Sequence, residues 1–121
     1  MVRPRTILVI DDDYAMIELL TSLLSDEGYV VRAAPDGPSG LLALNEATPG
    51  MVLLDWMMPF MRGDEVLRRI RESANATVPV VVLSANADGR TLLAQGADAF
   101  LAKPFDLDEL LDCVAHYIPA P

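Results

Sequence analysis

The sequence predicts an α/β fold, a five-stranded parallel sheet with helices on both faces, assembled from five successive βα units. Three observations carry this reading. Short β-branched apolar runs alternate along the chain with stretches whose apolar residues recur at helical spacing. The runs are apolar at nearly every position and not at every second one, the pattern of strands buried on both faces. Glycine, proline and aspartate punctuate the junctions, and no internal linker, repeat or low-complexity tract interrupts the series.

Thr6-Ile7-Leu8-Val9-Ile10 is the first strand. Met16, Leu19, Leu20, Leu23 and Leu24 then recur at helical spacing, and Gly28 marks the stop. Tyr29 to Ala33 forms the second strand. Asp36-Gly37-Pro38 turns into a short helix carrying Leu41, Leu42 and Leu44, with Pro38 suited to its first turn. Met51-Val52-Leu53-Leu54 is the third strand; it ends abruptly at Asp55, before a loop containing Pro59 and Gly63. The next helix has Val66, Leu67, Ile70 and Ala74 as its buried stripe, with Arg68, Arg69 and Arg71 on a solvated face. Val78 to Leu83 is the fourth strand, followed by a short helix from Asp88 to Gln95. Ala99 to Lys103 is the fifth. The last helix carries Leu107, Leu110, Leu111, Val114 and Ile118 along one face.

A chain of 121 residues, 52% hydrophobic, supplies one compact core and not two, so residues 1–121 read as a single domain. The tail Ile118-Pro119-Ala120-Pro121 is linker-like: either a natural end or the start of a connector to an output domain. No apolar run approaches the roughly 18 residues needed to cross a bilayer. Met1-Val2-Arg3-Pro4-Arg5 lacks a signal peptide's apolar region, and a soluble cytoplasmic protein with no membrane partner is expected. A net charge of −9 argues against direct binding of nucleic acid or anionic lipid. The single cysteine, Cys113, has no partner for an internal disulfide and reads as a small hydrophobe on the last helix.

Right-handed crossovers bring the C-terminal ends of all five strands to one edge, where sheets of this kind bind ligands. Asp11 and Asp12 follow the first strand, Asp55 the third and Ser84 the fourth; Lys103 ends the fifth. Crowded carboxylates raise one another's pKa unless a cation sits among them. Mg²⁺ suits oxygen donors and binds through a few carboxylates plus a phosphate oxygen. A carboxylate can also attack phosphorus to give an acyl phosphate. A metal and a lysine neutralise the transferring group, and a hydroxyl can hydrogen-bond it. A Gly-rich loop ending in Lys-Ser/Thr is missing, which excludes P-loop nucleotide chemistry.

Ile7-Leu8-Val9-Ile10-Asp11-Asp12-Asp13, Leu53-Leu54-Asp55-Trp56-Met57-Met58-Pro59, Val82-Leu83-Ser84-Ala85 and Lys103-Pro104-Phe105 fall in order along the chain, with Gly63 and Gly96-Ala97-Asp98 between them. Together they resemble, end to end, the receiver domains of two-component response regulators, which have a flavodoxin-like (βα)5 fold. The resemblance implies a phosphoacceptor signalling domain that catalyses only its own phosphorylation and dephosphorylation. It implies Asp55 as phosphoacceptor and Mg²⁺ as cofactor. Asp12 would be a direct ligand, Asp11 a ligand mostly through water, and Asp55 and the Met57 backbone carbonyl would complete the protein's share. Ser84 would turn toward the phosphoryl group, Lys103 would pair with it, and Phe100 would be the aromatic switch on the α4-β5-α5 surface. The implied partners are a sensor histidine kinase or phosphotransfer protein, and an output domain or target that the sequence does not name. The Lys103–Pro104 bond is expected to be cis.

Asp13 matches no catalytic position of that family and suits a helix N-terminus. Trp56 reads equally as a lid over Asp55 or as packing, and Met57, Met58 and Met61 as a shield against water. A competing reading takes Ile10-Asp11-Asp12-Asp13 as the Asp-x-Asp start of a haloacid-dehalogenase-type phosphohydrolase, with Asp11 as nucleophile and Asp13 as acid. It leaves Asp55 without a task, and the later paired-Asp metal motif is missing. A receiver that acts only as a docking surface is disfavoured by the retention of all five site residues. One departure from the family is visible: Ser84 to Gly96 is shorter by about one helical turn, so the helix between them should be truncated. The last helix carries Asp108, Glu109, Asp112 and His116 but no Lys or Arg.

Overall fold

A computed structural model describes residues 3–85 and 88–119; Met1, Val2, Ala120 and Pro121, which belong to the terminal stretches read above, lie outside the described residues. The elements alternate strictly: β1 (Thr6–Ile10), α1 (Tyr14–Asp26), β2 (Val30–Ala34), α2 (Gly37–Glu46), β3 (Met51–Asp55), α3 (Gly63–Arg71), β4 (Val80–Ser84), α4 (Gly89–Ala94), β5 (Ala99–Ala102) and α5 (Leu107–Tyr117). All strand pairs are parallel, in the order β2-β1-β3-β4-β5.

Because successive side chains on a strand point to opposite faces, the apolar runs divide into two cores. Leu8, Ile10, Val52, Leu54, Val80 and Val82 pack under Leu44 of α2, Val66, Leu67 and Ile70 of α3, and Leu92 of α4. Ile7, Val9, Met51, Leu53, Val81, Leu83 and Leu101 face Leu20 and Leu24 of α1 and Leu110 and Val114 of α5. Every residue of β3 and β4 is buried, which explains why those runs carry no polar alternation.

Aspartates start every helix but α3, which follows Arg62 with no side-chain cap. Asp13 accepts from the Ala15 and Met16 N–H groups, Asp36 from Ser39, Asp88 from Arg90 and Asp106 from Glu109, each satisfying donors that a helix start leaves open. Pro38 lies in the first turn of α2, as expected. The α4 helix spans six residues, inside the Asp88–Gln95 stretch read from the sequence.

Three details correct the sequence reading. α3 ends at Arg71, so Ala74 lies beyond it and is exposed; the Ser73 hydroxyl donates to Ile70 O and closes the last turn. Arg71 does not join the solvated face. Its guanidinium donates to the carbonyls of Gly96, Ala76 and Val78 and to Asp98, whose carboxylate also accepts from the Val80 N–H. Arg68 and Arg69 do stay outside, paired with Glu65 and Glu72 at the surface. Leu107 is exposed, the apolar stripe of α5 beginning in earnest at Leu110. At the opposite edge from the strand C-termini, Tyr29 Oη donates to Ile118 O at 2.7 Å and Arg5 Nη1 to Pro119 O at 2.9 Å, so the end of α5 is tied down there.

Candidate functional site

The sheet register delivers the polar residues to one place. Asp55 pairs with Leu83 and Ser84 with Ala102, while Ile10, just before Asp11, pairs with Leu54, just before Asp55. The ladders run one step past the strand ends: the Trp56 N–H donates to Leu83 O at 3.0 Å and the Lys103 N–H to Ser84 O at 2.9 Å. Asp11, Asp55 and Ser84 are the buried polar residues among the described ones, and Asp12 is exposed beside them. One carboxylate oxygen from each of Asp11, Asp12 and Asp55 lies within 4.8 Å of the other two. Lys103 Nζ bridges two of them, 3.3 Å from Asp55 Oδ1 and 3.5 Å from Asp11 Oδ2.

One lysine does not neutralise three carboxylates. The Asp55 carboxyl is pushed up to about 6, first by burial and next by the charge of Asp11, with contact from Asp12 adding to the rise; Lys103 and the Met57 N–H pull the other way. Between pH 3.8 and about 6 the folded protein therefore holds a proton on Asp55 that the unfolded chain has largely released. Stability from this group is present at low pH and is lost as pH rises between those two values. Asp55→Asn removes the charge, so in metal-free buffer at about pH 7.5 it should stabilise the fold by roughly 1–3 kcal/mol. Below about pH 4 that gain should vanish. Urea melts at both pH values check this; an equal gain at both would contradict it.

Asp11 and Asp13 are held differently. Asp11 Oδ1 accepts from the Asp13 N–H at 2.9 Å and its other oxygen faces Lys103. The Asp13 side chain is spent on capping α1. This contradicts the phosphohydrolase reading, in which Asp13 is a proton donor aimed at substrate. Trp56 is packing: it is partly buried against the core, and Gly63 sits so close that a methyl group there would stand 2.8 Å from the indole. Met58 is buried in the core and Met61 packs against it, whereas Met57 is 65% exposed, so the three methionines do not form a common shield. The Met57 N–H donates to Asp55 Oδ1 at 3.4 Å. The Lys103–Pro104 bond is cis. Phe100 is 37% exposed, its ring against Gly89 at the start of α4, where a Cβ would collide with it. The sequence reading missed Gly89; only a known ring position opposite makes a glycine there informative.

Residues 7–115 match the family described as the response regulator receiver domain. The chain belongs to that family. Among relatives of this receiver, the DNA-binding response regulator MtrA of Mycobacterium tuberculosis is 42% identical over 108 residues, covering 87% of this chain and 46% of its own length. The transcriptional regulatory protein CseB of Streptomyces avermitilis is 42% identical over 103 residues, covering 83% of this chain and 43% of its own. The receiver thus spans less than half the length of these relatives. Its flavodoxin-like architecture is that of the chemotaxis protein CheY4 of Vibrio cholerae, with TM-score 0.87, 26% identity and coverage of 93% and 98% of the two chains. The receiver domain of a sensor histidine kinase from Pseudomonas aeruginosa, solved with a magnesium ion in its active-site cleft, gives TM-score 0.86 at 27% identity, covering 99% and 100%. Receivers are signalling domains. No helix among the described residues is long and apolar enough to cross a membrane.

Proposed function

We propose that this receiver takes a phosphoryl group onto Asp55 in a Mg²⁺-dependent reaction and relays the change to another protein surface. The observation that carries the reading is the meeting of Asp11, Asp12 and Asp55 within 4.8 Å, with Lys103 bridging two of them, at the ligand-binding edge of the sheet. The all-oxygen donor set and its excess negative charge fit Mg²⁺, which would be held by Asp12 and Asp55, by Asp11 through water, and by the Met57 carbonyl. Bound there, the metal supplies positive charge against the oxygens of the incoming phosphoryl group.

Asp55 serves as the nucleophile in this reading: it ends β3, the middle strand of the sheet, within 4.8 Å of the Asp11 and Asp12 carboxylates and 3.3 Å from Lys103 Nζ. One carboxylate oxygen forms a bond to phosphorus as the bond from phosphorus to the donor breaks, and the donor leaves with that electron pair. Lys103 offsets charge on the transferred group, and Ser84, buried at the adjacent strand end, is within the same edge to hydrogen-bond it. Hydrolysis by water returns the carboxylate. The donor is a sensor histidine kinase or phosphotransfer protein; the receiver of the signal is an output domain or separate target, and the reaction takes place in the cytoplasm. Incubation with acetyl phosphate and Mg²⁺ should add a single phosphoryl group by intact mass, acid-stable and base-labile, and EDTA should prevent it. An unmodified chain overturns the proposal.

The output switch runs through Ser84 and Phe100. Movement of Ser84 toward the phosphoryl group opens space that favours an inward Phe100, a shift of population between two packings. Phe100→Ala should therefore be phosphorylated at Asp55 as the wild type is, yet its α4-β5-α5 surface should respond to phosphorylation about tenfold less in partner affinity. A normal response would make Phe100 core alone.

The same surface is acidic. Asp108, Glu109 and Asp112 are exposed on α5, and Arg90 is the exposed cation that α4 offers. A two-fold contact would oppose like charges, so beryllofluoride with Mg²⁺ should leave the chain monomeric in sedimentation. An activation-dependent dimer broken at Asp108 and Asp112 would contradict this.

A further inference from the structure

The loop from Trp56 to Gly63 is built as a fixed frame around one exposed ring. Its base is closed by the Gly63 N–H donating to Trp56 O at 3.1 Å, with the Gly63 backbone close against the indole. Met58 is buried in the core on one side of the apex, and Met61 packs on the same core on the other. Between them the Met61 N–H donates to Pro59 O at 2.8 Å, a γ-turn whose central residue, Phe60, has φ of +67°. Such turns are strained, and the left-handed region disfavours a bulky side chain. Phe60 is 98% exposed, so no packing offsets either cost. It is the one described non-glycine residue with positive φ.

An aromatic ring projected into water from a strained, hydrogen-bonded backbone is poorly explained by folding and well suited to binding. Rigid aromatic anchors lose little entropy on docking and dominate interfaces when they enter a pocket. The position of the loop selects the occupant. Phe60 follows Asp55 by five residues, and Met57 on the same loop and Tyr14 just after the Asp11–Asp13 run are also exposed apolar side chains at this edge. Asp55 is only 6% exposed, so a protein that delivers a phosphoryl group to it must cover the loops around it. Exposed Asp12 and the apolar ring of Phe60 together call for basic residues flanking an apolar pocket.

The geometry points to Phe60 as the anchor by which the phosphodonor protein docks on this receiver, an inference that rests on Asp55 being the phosphoacceptor. Phe60→Gly is the informative variant, because glycine accepts φ of +67° without strain and the variant should melt no lower than the wild type. Two donors are compared: acetyl phosphate, which needs no docking surface, and the autophosphorylated core of a sensor histidine kinase, taken from a panel as the one that labels the wild type fastest. Phe60→Gly should be labelled by acetyl phosphate at the wild-type rate. With the kinase core its kcat/KM should fall by about tenfold or more, mostly through KM, and Phe60→Trp should recover most of the loss. An unchanged kcat/KM for Phe60→Gly with the kinase core overturns the inference, as does a panel in which no core labels a wild type that acetyl phosphate labels. Failure of the wild type with both donors overturns the phosphoacceptor reading itself.

Discussion

Asp55→Asn should reduce phosphorylation by acetyl phosphate to background, a loss of at least about a thousandfold, the scale on which removal of a nucleophile acts. The amide keeps the shape of the carboxyl and removes its charge from a buried acidic cluster, so the fold should survive and, at neutral pH, gain stability. Loss of labelling therefore cannot be blamed on unfolding. Lys103→Ala should cost about a hundredfold in rate, because it removes one preorganised charge and leaves the nucleophile in place. It also leaves Asp11 and Asp55 facing each other without the cation 3.5 and 3.3 Å away, so Asp55 should ionise at higher pH and the rate profile should move to the alkaline side. Asp13→Asn is the control. Asparagine caps a helix as well as aspartate does, so neither labelling nor stability should change by much.

The second large effect concerns the metal. Asp12→Ala should weaken Mg²⁺ binding by about a hundredfold, and Asp11→Ala by about tenfold. Asp12 is exposed, and its removal deletes a donor without disturbing the core. Asp11 is fully buried and already engaged by the Asp13 N–H and by Lys103, so it has less to give a metal directly. Its loss also relieves repulsion on Asp55, which partly compensates. Calorimetric titration with Mg²⁺ at about pH 7.5 distinguishes the two, since below about pH 6 protons compete for Asp55. Equal losses would contradict the division of roles.

The site could be found in the sequence because its members are tied to strand ends. Once the apolar runs are read as parallel strands, Asp11, Asp55, Ser84 and Lys103 must share an edge, whatever the details of packing. The two-faced core was legible for the same reason: β3 and β4 are apolar at every position before their polar ends. What the pattern concealed depends on partners far along the chain. Arg71 sits among surface arginines by periodicity, yet the open carbonyls of Ala76, Val78 and Gly96 draw it inward. Ala74 continues the apolar period, but Ser73 has already closed the helix at Ile70 O. The strain at Phe60 was invisible because a γ-turn leaves no compositional mark beyond the preceding proline. Met57, Met58 and Met61 looked equivalent in sequence and differ entirely in burial, since only the fold decides which side of a loop meets the core.

The location of the acyl phosphate decides whether Asp55 is the phosphoacceptor. The phosphorylated protein is treated with borohydride, which reduces an aspartyl phosphate to homoserine, and the altered residue is identified by peptide mass spectrometry. The reading predicts conversion at Asp55 and nowhere else. Conversion at Asp11, with Asp55 unmodified, would contradict it.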